Sequence, residues 1–307
     1  MSAFSIVAVI AVVAVITALF LTVDPAQVIA AFENVSPVPV FAGLAIVQSQ
    51  IVFSALRWRF TAYRLDHHIP LPIAIREYYI ATFLNQILPS GMAGDAFRAY
   101  RSKSRGEAGW KRPAAAVFLE RLSGQLAFFV LVGVGLLAWP LFLAEKLPDG
   151  FERIAAVFLA VVLILVMLAL FLQRIRLPAR LTAIWPDLVA VFWKDGALII
   201  QFGLSALTVS GYVAVFMIAA YAVGSPLPAI AVVTIIPLCL LTMVIPLGVG
   251  GWGTRDAAAA ALWPLLGFSS AEGLSASLLY GIISLIGVAP FGLFFLLSTI
   301  FNQRRLP

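Results

Sequence analysis

The chain has 307 residues, 63% of them apolar and only 11% charged, against about 45–50% and about 25% in soluble domains. A soluble fold of this length would lack the charges to cover its surface, which excludes soluble enzymes, nucleic-acid-binding modules and disordered proteins; long apolar runs in place of alternation argue against a β-barrel. The formal net charge of +6 therefore reports membrane topology, not nucleic-acid binding.

Six full spans are expected, near 4–23, 38–56, 113–139, 151–172, 197–222 and 274–298, each of roughly twenty apolar residues. The first, Phe4–Val23, is too long for the apolar core of a cleaved leader and has no lysine or arginine before it, so it is expected to be retained. Two further apolar segments, 72–100 and 229–266, are each interrupted midway by proline and glycines. They can enter a membrane and turn back but are too broken to cross as one helix. The fold class expected is an all-α polytopic membrane protein with six transmembrane helices and two re-entrant helical hairpins.

The basic residues test this arrangement. Residues 57–76, 98–112, 174–194 and 304–305, all read as cytoplasmic loops, hold 16 of the 20 lysines and arginines. The positive-inside bias then puts both termini and the 98–112 loop in the cytoplasm and the 140–150 loop outside. Cys239 is the only cysteine, and His67 and His68 are the only histidines. No disulfide, metal site or cofactor is expected.

The two interrupted segments match each other. Pro89, Gly91, Gly94 and Arg98 recur as Pro246, Gly248, Gly251 and Arg255, all at an offset of 157. The same offset carries 38–56 onto 195–213 and 113–139 onto 270–296. The chain thus reads as two copies, 1–147 with the hairpin at 72–100 and 151–307 with the hairpin at 229–266. Three spans per copy is an odd number, so the second copy is inverted, the plan of many secondary transporters.

Non-helical backbone in hydrocarbon survives only when buried in protein or lining a wet cavity. After each break a new helix should start, with Asp95 and Thr254 as candidate caps. Helix N-termini suit a phosphate, and Arg98 and Arg255, one turn further on, have planar forks that can bind a phosphate diester. Asp95, Glu120, Arg121 and Asp256 also lie in or beside apolar segments, where an ionised group is costly. They read as a polar pathway for a charged head group or as pairs that fasten helices together. Gln48, Gln50, Asn85, Gln86 and Gln201 could line the same cavity, or bond singly between helices. Ala93-Gly94-Asp95 lacks the first glycine of an intramembrane aspartyl protease motif, and the chain has no nucleophile elbow, zinc-protease motif or Walker loop.

Asn85-x-x-Leu88-Pro89, Gly94-Asp95-x-x-Arg98, Glu120-Arg121 and Pro246 to Gly253 together resemble the membrane flippase region of bacterial lysyl-phosphatidylglycerol synthases, shared by many stand-alone membrane proteins. The resemblance covers nearly the whole chain and implies a lipid-translocating fold in the inner (cytoplasmic) membrane of a bacterium. Aminoacylated phosphatidylglycerol, hopanoid lipids and polyprenyl-phosphate carriers are substrates of different relatives. Three departures stand out: Ala93 for a usual glycine, Asp256 for a frequent glutamate, and no arginine near Gly281, which bears on head-group preference. No soluble transferase domain follows residue 298 here, so lysyl transfer from tRNA is not expected.

The function expected is a flippase, not an enzyme. It would move an anionic phosphate-bearing lipid of phospholipid, aminoacyl-phospholipid or polyprenyl-phosphate type, with Arg98 and Arg255 on the phosphate. The rivals are an integral-membrane lipid-modifying enzyme with Asp95 or Asp256 as base, and a lipid-binding accessory subunit of a membrane glycosyltransferase. Besides lipid, this leaves room for a membrane-bound lipid-modifying enzyme as partner.

Overall fold

The computed structural model describes residues 23–33, 35–88, 91–102, 109–142, 185–244 and 250–303, with isolated positions at 17, 156, 159, 160, 163 and 167. Among the described residues there are ten α-helices and no strand. They are α1 (Pro25–Glu33), α2 (Pro37–Arg64), α3 (Leu71–Ile87), α4 (Ala93–Arg101), α5 (Lys111–Phe142), α6 (Trp185–Phe192), α7 (Ala197–Ala222), α8 (Ile235–Leu241), α9 (Thr254–Leu262) and α10 (Ser270–Gln303).

Four of these, α2, α5, α7 and α10, are long and apolar enough to cross a membrane. They are the spans expected at 38–56, 113–139, 197–222 and 274–298; those at 4–23 and 151–172 fall outside the described stretches. Local chemistry sets the helix starts. Pro37 opens α2, a first-turn position where proline loses no helical hydrogen bond. Ser269 and Glu272 form a reciprocal cap before α10, with Ser269 N–H donating to Glu272 Oε2 at 2.7 Å and Glu272 N–H to Ser269 Oγ at 3.2 Å.

One boundary differs from the sequence reading. Helix α2 does not stop at 56 but continues to Arg64, so Arg57, Arg59 and Arg64 are helical. No breaker intervenes before Asp66, whose φ of 55° ends the run. Arg57 is therefore not a loop residue; it is 5% exposed. Arg98 and Arg101 likewise lie on α4 and not in a 98–112 loop.

Both interrupted segments are helix–break–helix units. Helix α3 ends at Ile87 and α4 starts at Ala93. The two pack so closely that a Cβ on Gly94 would lie 1.9 Å from the carbonyl oxygen of Ala81. The second segment runs as a 3₁₀ turn at Ala229–Val232, α8, a 3₁₀ turn at Thr242–Val244, then α9 and a 3₁₀ turn at Trp263–Leu266. Thr254 Oγ1 donates to the carbonyl of Thr242 at 3.2 Å, tying its two limbs together. The breaks meet: a Cβ on Gly250 would sit 3.0 Å from the Gln86 carbonyl oxygen.

The two halves of the chain interleave. Helix α2 packs along α7. Helix α5 meets the second broken segment, where a Cβ on Gly135 would lie 1.7 Å from the Val233 carbonyl oxygen, and α10 meets the first, where a Cβ on Gly292 would lie 3.0 Å from that of Tyr79. Arg64, at the end of α2, donates to the carbonyls of Ala190 at 2.7 Å and Lys194 at 2.8 Å. The main apolar core includes Phe216 of α7, stacked on Tyr280 of α10 at 4.9 Å.

Candidate functional site

Helix α2 carries Gln50, Ser54, Arg57 and Thr61 at intervals of four, three and four, which puts all four on one face. All are buried. Opposite them α7 presents Gln201, Ser205 and Thr208, also buried. Gln201 Nε2 donates to Thr61 Oγ1 at 2.8 Å, and Arg57 Nη1 to Ser205 Oγ at 3.1 Å. This polar seam leads to Glu120 on α5, which is fully buried.

Glu120 is the hub of the first cluster. Its Oε1 accepts from Arg57 Nε at 3.0 Å, Arg57 Nη2 at 2.6 Å and Tyr78 Oη at 3.1 Å; its Oε2 accepts from Arg98 Nη2 at 3.0 Å. The same Arg98 nitrogen donates to Asp95 Oδ1 at 2.8 Å. Asp95 Oδ2 accepts from Asn85 Nδ2 at 2.8 Å and also from Arg121 Nη2. The guanidinium of Arg98 lies between two rings, 4.5 Å from the centroid of Trp58 and 4.4 Å from that of Tyr78, positions that favour a cation. Arg98 has no exposed surface, yet its Nε and Nη1 have no hydrogen-bond partner among the described residues.

The second cluster is smaller. Arg255 Nε donates to Ser277 Oγ at 2.8 Å and Nη2 to Asp256 Oδ1 at 2.9 Å, while Ser277 Oγ donates to the same oxygen at 2.6 Å. Again two rings flank the arginine, Trp252 at 5.2 Å and Tyr280 at 4.9 Å. Both clusters are positioned by a long helix with a glycine beside a guanidinium. A Cβ on Gly124 would be 3.0 Å from Arg57 Nη1, and one on Gly281 would be 2.9 Å from Arg255 Nη2.

A family model for the lysylphosphatidylglycerol synthase TM region matches residues 5–292. The chain belongs to the lysylphosphatidylglycerol synthase TM region family. No curated protein matches it. Membership, with the four spanning-length apolar helices, makes it a membrane protein of a lipid-related family.

In this family member Asp95, Arg98, Glu120, Arg121 and Asn85 come together in one network, while Arg255 and Asp256 form the other. Gln86, near the end of α3, donates its Nε2 to the Ser284 carbonyl of α10 at 3.4 Å, while its own carbonyl oxygen lies beside Gly250. Gly91 and Gly251 have φ of 62° and 83°, the left-handed region that admits glycine with little strain. Pro89, Pro246 and Gly248 lie outside the described residues.

Both expected caps need correction. Asp95 does not cap α4: Asn85 reaches over from α3 to accept the Gly94 N–H at 2.7 Å, which frees Asp95 for the arginines. Thr254 does not cap α9 either. Asp256 accepts the Gly253 N–H at 2.8 Å, as a carboxylate in the first turn can. Gln48 and Gln201 take the interhelical option, Gln48 Nε2 donating to the Gly287 carbonyl at 2.9 Å. Sequence reasoning missed Arg57, Trp58, Tyr78 and Glu77. Glu77 is buried and clamped by Arg101 at 2.7 Å and Arg76 at 2.8 Å, joining α3 to the end of α4. The signal for Arg57 was its polar register with Gln50, Ser54 and Thr61.

Proposed function

We propose that this chain is a flippase that carries an anionic, phosphate-bearing lipid between leaflets, with Arg98 and Arg255 as phosphate ligands and the tails left in the bilayer. The observation that carries the reading is the state of Arg98. Its carboxylates do not depend on it: Asp95 keeps Arg121 and Asn85, and Glu120 keeps Arg57 and Tyr78. A fully buried guanidinium whose Nε and Nη1 have no partner among the described residues is strongly disfavoured unless something else occupies those donors. A phosphate oxygen is the acceptor that best suits them.

An inverted repeat of 1–147 and 151–307 is part of the proposal, with six full spans and the segments 72–100 and 229–266 re-entering from opposite sides. The offset of 157 supports it beyond the hairpins. It relates Glu120 to Ser277, each bonded to its arginine, and Gly124 to Gly281, each against a guanidinium. It relates Gly135 to Gly292, each in close contact with the other half's broken segment. Inverted halves meeting at broken helices suit alternating access around a central site.

Replacing Arg98 with methionine keeps its volume and removes the charge. Stability should change by about 1 kcal/mol or less, because both carboxylates stay partnered. Transport of labelled lipid in liposomes should fall about ten- to a hundredfold, the worth of a charge-assisted contact of about 1.5–3 kcal/mol. Arg98→Lys should recover only part of it. Full transport by Arg98→Met would end the phosphate role. Product formation in liposomes containing only this protein and lipid would favour the modifying enzyme instead.

The proposed orientation puts both termini and residues 103–108 in the cytoplasm of a bacterial inner membrane, with 140–150 outside. Single cysteines in a Cys239→Ser background should react with an impermeant thiol reagent from outside intact cells only in 140–150. External labelling within 103–108 would reverse the orientation.

A further inference from the structure

The first cluster does not balance. Arg57, Arg98 and Arg121 bring three positive charges, and Asp95 and Glu120, each within 3.0 Å of a guanidinium, bring two negative ones. Arginine stays protonated in any protein environment, so among the described residues the cluster holds one positive charge in surplus. Among the described residues the second cluster has no such surplus, since Arg255 faces Asp256. Nor can water compensate well, because Arg57, Arg98, Asp95 and Glu120 are all buried and only the Arg121 side chain reaches 38% exposure. An uncompensated ionic group between membrane-spanning helices is costly. The free donors belong to the same cluster: Nε and Nη1 of Arg98 face no acceptor among the described residues.

We propose that this cluster, with Arg57 as a member, is matched to a head group carrying a single negative charge, a phosphodiester in preference to a phosphomonoester or diphosphate. The inference rests on the lipid-phosphate reading of Arg98 and narrows it. One phosphodiester neutralises the surplus and gives Arg98 its missing acceptor. A phosphomonoester carries roughly two charges at about pH 8 and would leave one negative charge in surplus. Glu120 and Asp95 set the count by neutralising two of the three arginines, so they are specificity-determining residues and need not touch the lipid. Changing either count should change the preferred head group.

The test uses purified full-length protein in a neutral detergent at about pH 8. Binding of short-chain phosphatidylglycerol, phosphatidate and phosphatidylcholine, with one, roughly two and no net charges, is followed by thermal stabilisation. Wild type should bind phosphatidylglycerol about tenfold or more tighter than phosphatidate, one charge of mismatch in a screened site. Asp95→Asn raises the surplus to two and should bring phosphatidate level with, or ahead of, phosphatidylglycerol. Arg121→Gln, at the most exposed member, removes the surplus and should abolish the preference for phosphatidylglycerol over phosphatidylcholine. Should one variant not fold, the other decides, since they move the count in opposite directions. Wild type favouring phosphatidate, or a preference unmoved by either folded variant, overturns the charge match. If wild type binds phosphatidylcholine, itself a phosphodiester, as well as phosphatidylglycerol, the charge match fails and the lipid-phosphate reading stands; if none of the three lipids stabilises wild type, the lipid-phosphate reading itself fails. Water-soluble glycerophosphoglycerol should bind far more weakly than the lipid; equal binding would assign the site to a free phosphodiester.

Discussion

Replacing Glu120 with alanine is expected to destabilise the protein by about 3–5 kcal/mol, the range for breaking a buried ion pair from one side. The carboxylate receives donors from Arg57, Arg98 and Tyr78 and has no exposed surface. Without it, Arg98 retains Asp95, but Arg57 keeps only the Ser205 hydroxyl among its described side-chain partners. A guanidinium held inside a helix bundle by one neutral oxygen is a costly state. Reversible denaturation in mixed micelles should show the loss, with Glu120→Gln intermediate because an amide still accepts hydrogen bonds. Removing Arg57 as well, in Arg57→Met with Glu120→Ala, should recover more than half of it, since the orphaned charge is gone. A single Glu120→Ala variant within about 1 kcal/mol of wild type would mean that packing alone holds α2, α3 and α5 together.

That cluster also marks how far the sequence could be read. Four spanning helices, and fresh helix starts at Ala93 and Thr254 that place Arg98 and Arg255 on short helices, were legible, because long apolar runs and Pro-Gly interruptions are strong local signals. Arg57 was not. Loop assignment by charge places any arginine at the edge of an apolar run outside the membrane, and what keeps Arg57 inside is Glu120, 63 residues away. The caps failed for a related reason. Asp95 has a plausible capping position on its own helix, but Asn85 from α3 takes the amide, a contact that exists only after the chain folds back. The relations of Glu120 to Ser277 and Gly124 to Gly281 were present as an offset of 157. They carried no meaning until each residue was seen beside its arginine, since glycine and serine are common in apolar helices.

The close approaches between elements should be equally sensitive to a single methyl group. A Cβ on Gly94 would lie 1.9 Å from the Ala81 carbonyl oxygen, and one on Gly135 1.7 Å from that of Val233. Both obstacles are backbone atoms, so neither clash is relieved by a side-chain rotation and a whole helix must shift. Such overpacking costs about 1–3 kcal/mol and sometimes more. The consequences should differ by site. Gly94→Ala pushes α4 from α3, lengthening the Asn85–Gly94 and Asn85–Asp95 bonds, and should lower the proposed lipid transport along with stability because Arg98 rides on α4. Gly135→Ala separates α5 from the second broken segment and should act mainly on stability. Gly203 on α7 is the control: a Cβ there meets nothing within 4 Å, and alanine is the better helix former by roughly 0.5–1 kcal/mol. Gly203→Ala should therefore be neutral or slightly stabilising in the same denaturation series. If all three alanines behave alike, the contacts at Ala81 and Val233 are not the ones that lock the broken segments into the bundle.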